Sequence, residues 1–111
     1  YTGAIVSVWI DYDHSGSYEP TEWTQVGTNI AGNTTGTVNI TIPMTAMTGN
    51  TGMRVRSRGA LNVNGPTNAC TNMGSGETED YVINILPAPD CANPTGITAT
   101  SAVDSIMTNW N

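Results

Sequence analysis

Apolar and polar side chains alternate in several short stretches of the chain, and a period of two residues predicts β-strands. Residues 37–42 show this period most regularly, with Val38, Ile40 and Ile42 expected on a core face. Residues 4–10 carry apolar side chains on both faces, which predicts a central strand that is covered on each side. In chain order the predicted strands are Ala4–Ile10, Trp23–Val26, Thr37–Ile42, Met53–Arg58 and Tyr81–Leu86.

Connections rich in glycine, asparagine and threonine separate these strands, at residues 27–36, 49–52 and 62–75. Threonine disfavours helices because it is β-branched, while glycine and asparagine favour turns. Short alternating strands joined by such loops predict an all-β protein. The expected architecture is a β-sandwich or jelly-roll-like module.

Three arginines, Arg54, Arg56 and Arg58, occupy alternate positions of the fourth predicted strand. Alternate residues of a strand share a face, so the arginines are expected on the solvent face and Met53 and Val55 on the opposite one. The alternative is a row that binds anions, although three charges make a small one.

The sequence carries a net charge of −6 although only 11% of its residues are charged. The acids are concentrated, since seven of the nine lie in residues 11–22 or 77–80. Such clusters predict cation binding and argue against a nucleic-acid partner, which requires a basic surface. No apolar run approaches the roughly 20 residues that span a bilayer, so a soluble segment without membrane insertion is expected.

The first acidic cluster, residues 11–22, has the spacing of a calcium-binding loop. Ca²⁺ takes six to eight oxygen ligands, and alternate residues of a tightly turning loop point them inward. Gly16 stands at the sixth position, where an EF-hand loop turns sharply, but a strand replaces the entering helix. The alternative is a polar turn, since Asp, Ser and Gly also favour turns. The predicted ligands are the side chains of Asp11, Asp13, Ser15, Glu19 and Glu22 and the backbone carbonyl of Ser17.

The sequence has few residues that could form a catalytic site, so no enzymatic activity is predicted. His14 is the only histidine and is expected to point outward from the acidic loop, which leaves no Ser-His-Asp, Cys-His or zinc arrangement. A glycosidase pair formed by Glu22 and Asp80 is a weaker alternative to metal binding. Aromatic residues near the loop suggest either a sugar-stacking surface or, more commonly, core packing. They are Trp9, Tyr12, Tyr18 and Trp23.

The two cysteines, Cys70 and Cys91, lie on either side of the last predicted strand. In an oxidising compartment they are expected to pair, which would stabilise the fold by about 3 kcal/mol in the chain-entropy model. Two unrelated thiols are the alternative. Calcium favours the extracellular interpretation, because weak sites fill at the millimolar Ca²⁺ found outside cells.

A domain boundary is predicted at the proline-rich residues 87–94, because prolines halt sheet pairing and stiffen a linker. Residues 95–111 resemble the first two strands of a fibronectin type III domain, with Trp110 in the place of its core tryptophan. Two strands do not form an independent sandwich. The chain is therefore expected to be a piece of a longer protein, with residues 1–86 as a separate module.

The second acidic cluster and its surroundings resemble the GEVED domain family over residues 4–86. The signature stands at residues 76–81 as Gly-Glu-Thr-Glu-Asp-Tyr, with threonine where the family name has valine. Before it, in the family's order, come Trp-Ile-Asp at residues 9–11 and Arg-Val-Arg at residues 54–56, followed by Cys70. The chain begins without the family's upstream strands, so an N-terminally incomplete module is expected.

The resemblance implies a β-sandwich module of large secreted or cell-surface bacterial proteins, often next to fibronectin type III domains and without activity of its own. Such modules accompany peptidases, glycosidases and adhesins. Two roles stay open for the signature acids. Asp80 is predicted as a further metal ligand, and in the alternative it caps a turn while Glu77 and Glu79 are solvated.

Three functions follow from these expectations. The first is a non-catalytic, calcium-stabilised module that serves adhesion, assembly or spacing, with other domains of the same polypeptide or neighbouring copies as partners. The second is an accessory module that binds carbohydrate for a secreted hydrolase. The third is a subunit of an extracellular filament assembled by strand exchange.

Overall fold

The computed structural model describes residues 3–88, and these form one antiparallel sheet with almost no helix. The strands are β1 (Ala4–Ile10), β2 (Trp23–Ile30), β3 (Gly49–Gly59) and β4 (Glu77–Ile85), in the spatial order β2-β1-β3-β4. A short 3-10 helix, Pro20–Glu22, precedes β2. The all-β prediction is confirmed.

Strand β1 lies at the centre of the sheet, as its apolar character on both faces predicted. It pairs with β2 and β3, so that Val8 stands opposite Thr24 on one side and Val55 on the other. Ser7 and Trp9, which point to the second face, are as fully buried as Val8. Both faces of the sheet are therefore covered at β1.

The first face of the sheet carries the apolar core, and residues 31–48 lie over it. The buried members of this core are Val6, Val8, Ile10, Ile40, Met53, Val55 and Ile85. Val38, Ile42 and Ala46 of the covering segment pack against it and are partly buried. The covering layer is irregular chain rather than a second sheet, so the described residues form a single covered sheet and not a sandwich.

The predicted strand Thr37–Ile42 is wrong, although its pattern of burial is right. Ile40 is buried and Val38 and Ile42 are half-buried, while the polar residues between them are exposed. The segment is nevertheless not a strand, because its backbone is not paired with the sheet. Alternating hydrophobicity reports which side chains meet the core and leaves the hydrogen-bond partner of the backbone undetermined.

The second face of the sheet is covered by the loop between β3 and β4, residues 60–76. The Ser7 hydroxyl donates to the carbonyl of Asn64 (2.5 Å), and the Trp9 indole donates to that of Pro66 (3.0 Å). The Asn64 amide in turn donates to the carbonyls of Ile5 (3.0 Å) and Arg56 (2.9 Å). The loop is thus anchored on β1 and β3 together.

The arginine row lies under this loop, so its prediction as a solvent face is wrong. All three side chains are half-buried. Arg54 and Arg56 donate to the carbonyl of Ala69 (3.0 and 3.1 Å), and Arg58 donates to that of Val63 (3.0 Å). A guanidinium has five N–H donors, and here several of them donate to carbonyls of the loop. The row holds the loop, and an anion is not needed to explain it.

Strands β2, β3 and β4 extend beyond their predicted bounds into residues expected to form loops. Gly27 lies inside β2, Gly49 and Gly52 inside β3, and residues 77–80 inside β4. Ladder pairing with a neighbouring strand overrides the turn preference of glycine and of acidic residues. Most of the predicted linker and all of residues 95–111 lie outside the described residues. Within residues 3–88, no helix has the length and apolar character required to cross a membrane.

Candidate metal centre

The acidic loop, residues 11–22, joins β1 to β2, and β3 fixes its first residue. Asp11 is buried and follows directly on β1. Its backbone N–H donates to the carbonyl of Gly52 (3.1 Å), and its carbonyl accepts from the Thr51 hydroxyl (2.7 Å). The backbone of Asp11 is therefore fixed at both its N–H and its carbonyl, which fixes the position of its side chain.

The carboxylate of Asp11 turns the loop back on itself. Its two oxygens accept the backbone N–H groups of Ser15 (3.1 Å) and Gly16 (2.9 Å), and Asp13 also accepts from Ser15 (3.1 Å). The chain can follow this path because Gly16 has a φ of 84° and His14 a φ of 52°, both in the left-handed region. The turn predicted at Gly16 is confirmed, and His14 is exposed as predicted.

The Ser15 hydroxyl oxygen marks the centre of the loop. It lies 2.9 Å from Glu19 Oε2, 3.1 Å from the Ser17 carbonyl oxygen and 3.4 Å from Asp11 Oδ1, and its single O–H has these three acceptors to choose from. Oxygens from three other residues predicted as ligands thus lie within hydrogen-bonding distance of this one atom.

Glu22 closes the loop from its far end, in the 3-10 helix before β2. Its Oε1 accepts the N–H of Glu19 (2.9 Å) and its Oε2 accepts the N–H of Tyr12 (3.0 Å). The side chain is only 5% exposed, and this burial raises the pKa of the carboxyl to about 7, with the neighbouring carboxylates of Glu19, Asp13 and Asp11 adding to the increase. By contrast, a hydrogen bond from the Ser15 side chain lowers the pKa of the exposed Asp13.

Four acids of the loop are close enough to hold a metal ion between them. Each of Asp11, Asp13, Glu19 and Glu22 offers one oxygen, and these oxygens all lie within 4.8 Å of one another. Carboxylates at such distances repel when ionised, and a cation between them would replace repulsion with attraction. Six of the seven residues predicted as ligands therefore share one loop whose acids surround a common centre.

Asp80, the seventh predicted ligand, lies outside this group. Its two oxygens accept from Arg54 Nε (2.7 Å) and Nη2 (2.9 Å) in a bidentate ion pair. The hydrogen bonds to Arg54 hold the pKa of the Asp80 carboxyl below its usual range. The prediction is corrected because the β3–β4 register places Asp80 directly opposite Arg54. Glu77 and Glu79 are exposed on the same strand.

The sequence interpretation missed three residues that support the loop, namely Thr51, Gly52 and Tyr18. Thr51 and Gly52 hydrogen-bond to the Asp11 backbone. The Tyr18 ring lies under the Arg54 guanidinium, with its centroid 5.3 Å from Arg54 Cζ. Glycines predict a loop at residues 49–52, where the structure has the start of β3. The contact between β3 and the acidic loop joins distant parts of the chain, and the local sequence pattern does not indicate such a contact.

The aromatic residues near the loop are mostly structural. Trp9 is fully buried, and the Trp23 indole donates to the Ser7 hydroxyl at 3.0 Å. These four aromatic side chains therefore do not together form a sugar-stacking surface, and carbohydrate binding stays a prediction. Cys70 is exposed, and the pairing predicted for it involves Cys91, which lies outside the described residues.

A family model described as the GEVED domain matches residues 5–84, nearly the whole of the described part of the chain. The match spans both the acidic loop and β4, as the sequence resemblance predicted. Because β4 carries the signature residues 77–81, it is called the signature strand below. It ends before residues 95–111, where the fibronectin type III resemblance stays a prediction. Neither a curated protein nor a solved structure matches the chain.

Proposed function

The chain belongs to the GEVED domain family, and from that membership we propose that it is a non-catalytic, calcium-stabilised module of a secreted or cell-surface bacterial protein. Its role is adhesion, assembly or spacing, carried out with other domains of the same polypeptide or with neighbouring copies. The observation that carries the proposal is the convergence of four carboxylates from one loop, within 4.8 Å of one another.

Calcium fits the donor set better than other common cations. The loop offers only oxygens, which suits a hard cation, and it lacks the sulfur or clustered imidazole ligands that zinc prefers. Four carboxylates, the Ser15 hydroxyl and the Ser17 carbonyl supply six oxygens without any water, whereas Mg²⁺ usually keeps several waters. Carboxylates on side chains of different length, from Asp and from Glu, also suit the irregular coordination of Ca²⁺ better than a strict octahedron.

The proposed role of the ion is structural. The acidic loop connects β1 to β2 and contacts β3, so an ion in it would tie together three of the four strands. Binding to the folded loop alone adds a stability of RT ln(1 + [Ca²⁺]/Kd). The millimolar Ca²⁺ outside cells would largely fill even a weak site, which is consistent with the proposed secreted location.

The test is thermal unfolding with excess Ca²⁺ and with chelator. At a hundred-fold excess over Kd, Ca²⁺ should stabilise the wild type by about 2.7 kcal/mol. Asp13→Asn should lose most of this gain while still folding, because Asp13 is exposed. Glu77→Gln is the matched control, since it removes an exposed acid outside the loop and should keep the full gain. An unfolding midpoint of the wild type that is the same with Ca²⁺ and with chelator would reject the proposal.

Strand exchange is the second candidate, and the edge of β4 favours it. Within the described residues β4 has a neighbour on one side only, and Val82 on it is 76% exposed. An exposed edge strand is a template for pairing with another chain. Sedimentation of the wild type and of Val82→Lys tests this: assembly that the lysine abolishes would support it, and a wild type that stays monomeric at high concentration would reject it.

A further inference from the structure

The Tyr18 side chain is the point at which the acidic loop rests on the sheet. Its ring lies against Arg54 of β3, and its hydroxyl lies over Gly52 of the same strand. A Cβ atom at position 52 would be 2.5 Å from that hydroxyl, so glycine is the residue that lets the ring approach. Gly52 also accepts the backbone N–H of Asp11 (3.1 Å). One short stretch of β3 thus contacts the loop at its start and at its middle.

The guanidinium that contacts Tyr18 is held in place by three hydrogen bonds to two partners. Asp80 binds Nε and Nη2 (2.7 and 2.9 Å), and the carbonyl of Ala69 accepts from Nη1 at 3.0 Å. A bidentate carboxylate fixes the plane of a guanidinium as well as its position. The planar group is therefore presented to the Tyr18 ring in one orientation, which suits a cation–π contact.

From this chain of contacts we propose that Arg54 and Asp80 are positioning residues for the acidic loop and act on it through Tyr18. Asp80 orients Arg54, Arg54 holds the ring, and the ring holds the middle of the loop in the shape that gathers its carboxylates. The signature strand thus contributes to the loop without providing a ligand. The effect on calcium rests on the proposed function, while the effect on the order of the loop does not.

The neighbouring pair of residues, Arg56 and Thr78, provides a matched control. It joins the same two strands on the same face, next but one along the ladder, with Arg56 Nε donating to the Thr78 hydroxyl at 2.9 Å. Arg56 also donates to the loop carbonyl of Ala69 (3.1 Å), as Arg54 does. The ring of Tyr18 lies against Arg54 and is not part of this pair. Thr78→Val therefore perturbs the sheet without releasing the ring.

The experiment measures the Ca²⁺ affinity of the full chain by calorimetry for the wild type, four single variants and one double variant. Asp80→Asn and Tyr18→Leu should each weaken binding roughly three- to ten-fold, the range expected for losing one cation–π contact. Thr78→Val should bind like the wild type. Tyr18→Phe keeps the aromatic ring and should bind Ca²⁺ nearly as tightly as the wild type. If the hydroxyl over Gly52 were the important group, Tyr18→Phe would instead bind as weakly as Tyr18→Leu. The double variant Tyr18→Leu, Asp80→Asn should be no weaker than Tyr18→Leu, since both act through one contact.

A second measurement separates this proposal from the calcium proposal. Hydrogen exchange of the Ser15 and Gly16 amides, which donate to Asp11, reports the order of the metal-free loop. Exchange should be several-fold faster in Asp80→Asn than in Thr78→Val. Equal exchange and equal affinity in these two variants would overturn the positioning role. If exchange is faster in Asp80→Asn than in Thr78→Val but the wild type binds no Ca²⁺, the proposed function is rejected and the positioning role stands.

Discussion

The ionisation of the Glu22 carboxyl depends strongly on the fold. Two backbone N–H groups donate to its carboxylate and favour the charged form, but burial and three neighbouring acids favour the neutral one. The balance raises the pKa to about 7, well above the value near 4.3 of a free glutamate. In the absence of a cation, and at a pH between these two values, this side chain therefore holds a proton in the folded state that the unfolded chain releases.

The sign of the resulting pH dependence follows from that difference. The stability that Glu22 contributes is fully present below about pH 4 and is lost as the pH rises through 7. In chelator, the free energy of unfolding should thus fall by up to about 3 kcal/mol between pH 5 and pH 8. Urea unfolding across this range measures it. Glu22→Gln should show a smaller slope, which separates Glu22 from the other titrating groups, and an equal slope in the two proteins would contradict the assignment.

Substitutions at Gly16 measure how much the left-handed backbone conformation costs in stability, without a steric clash. A Cβ atom at this position would meet nothing within 4 Å, so only the backbone conformation opposes a larger side chain. Gly16→Ala should lose about 1 kcal/mol of stability, and Gly16→Asn should lose less because asparagine tolerates this region. Urea unfolding of both variants in chelator checks the order. Equal losses would show that the strain does not arise from φ.

At the scale of the elements, the sequence predicted the central strand best. Strand β1 matches its predicted bounds, because side chains buried on both faces leave an unambiguous apolar run. Residues 37–42 show the limit of the same reasoning. Their side chains alternate as in a strand, yet the burial comes from packing on the core and the backbone joins no ladder.

The candidate site was predictable in the same uneven way. Ligands that are close in sequence, from Asp11 to Glu22, follow from spacing because one loop brings them together. Asp80 was misassigned because its partner is set by the register between β3 and β4, which depends on long-range pairing. The support from Thr51 and Gly52 was invisible for the same reason.

The irregular segment over the core should contribute to stability as a strand would. Ile40 is only 4% exposed and belongs to the core cluster. Ile40→Ala should therefore lose about 2–5 kcal/mol, the usual cost of removing a buried isoleucine. Thr41→Ala, at the adjacent exposed position, should change stability by less than about 0.5 kcal/mol. Denaturant unfolding of the pair measures the difference, and similar losses would mean that the segment is not part of the core.

At the scale of the whole molecule, the acidic loop depends on contacts between distant parts of the chain. Strand β1 pairs with β3, and the residues that hold Asp11 are on β3. The loop should therefore close only after the sheet has formed, beyond the folding transition state. Ca²⁺ should then leave the folding rate constant nearly unchanged and slow unfolding by about 100-fold at a hundred-fold excess over Kd. Stopped-flow kinetics in urea test this, and faster folding with Ca²⁺ would place the loop in the folding nucleus.

The position of β3 in the chain also bears on when the acidic loop matures during biosynthesis. A nascent polypeptide that has emerged only as far as β2 contains every acid of the loop, but not Thr51 and Gly52. Its carboxylates would be synthesised early and remain unsupported until β3 leaves the ribosome. Ion uptake would therefore wait at least for β3, and a truncated translation product ending before β3 would compete poorly for calcium with the finished protein.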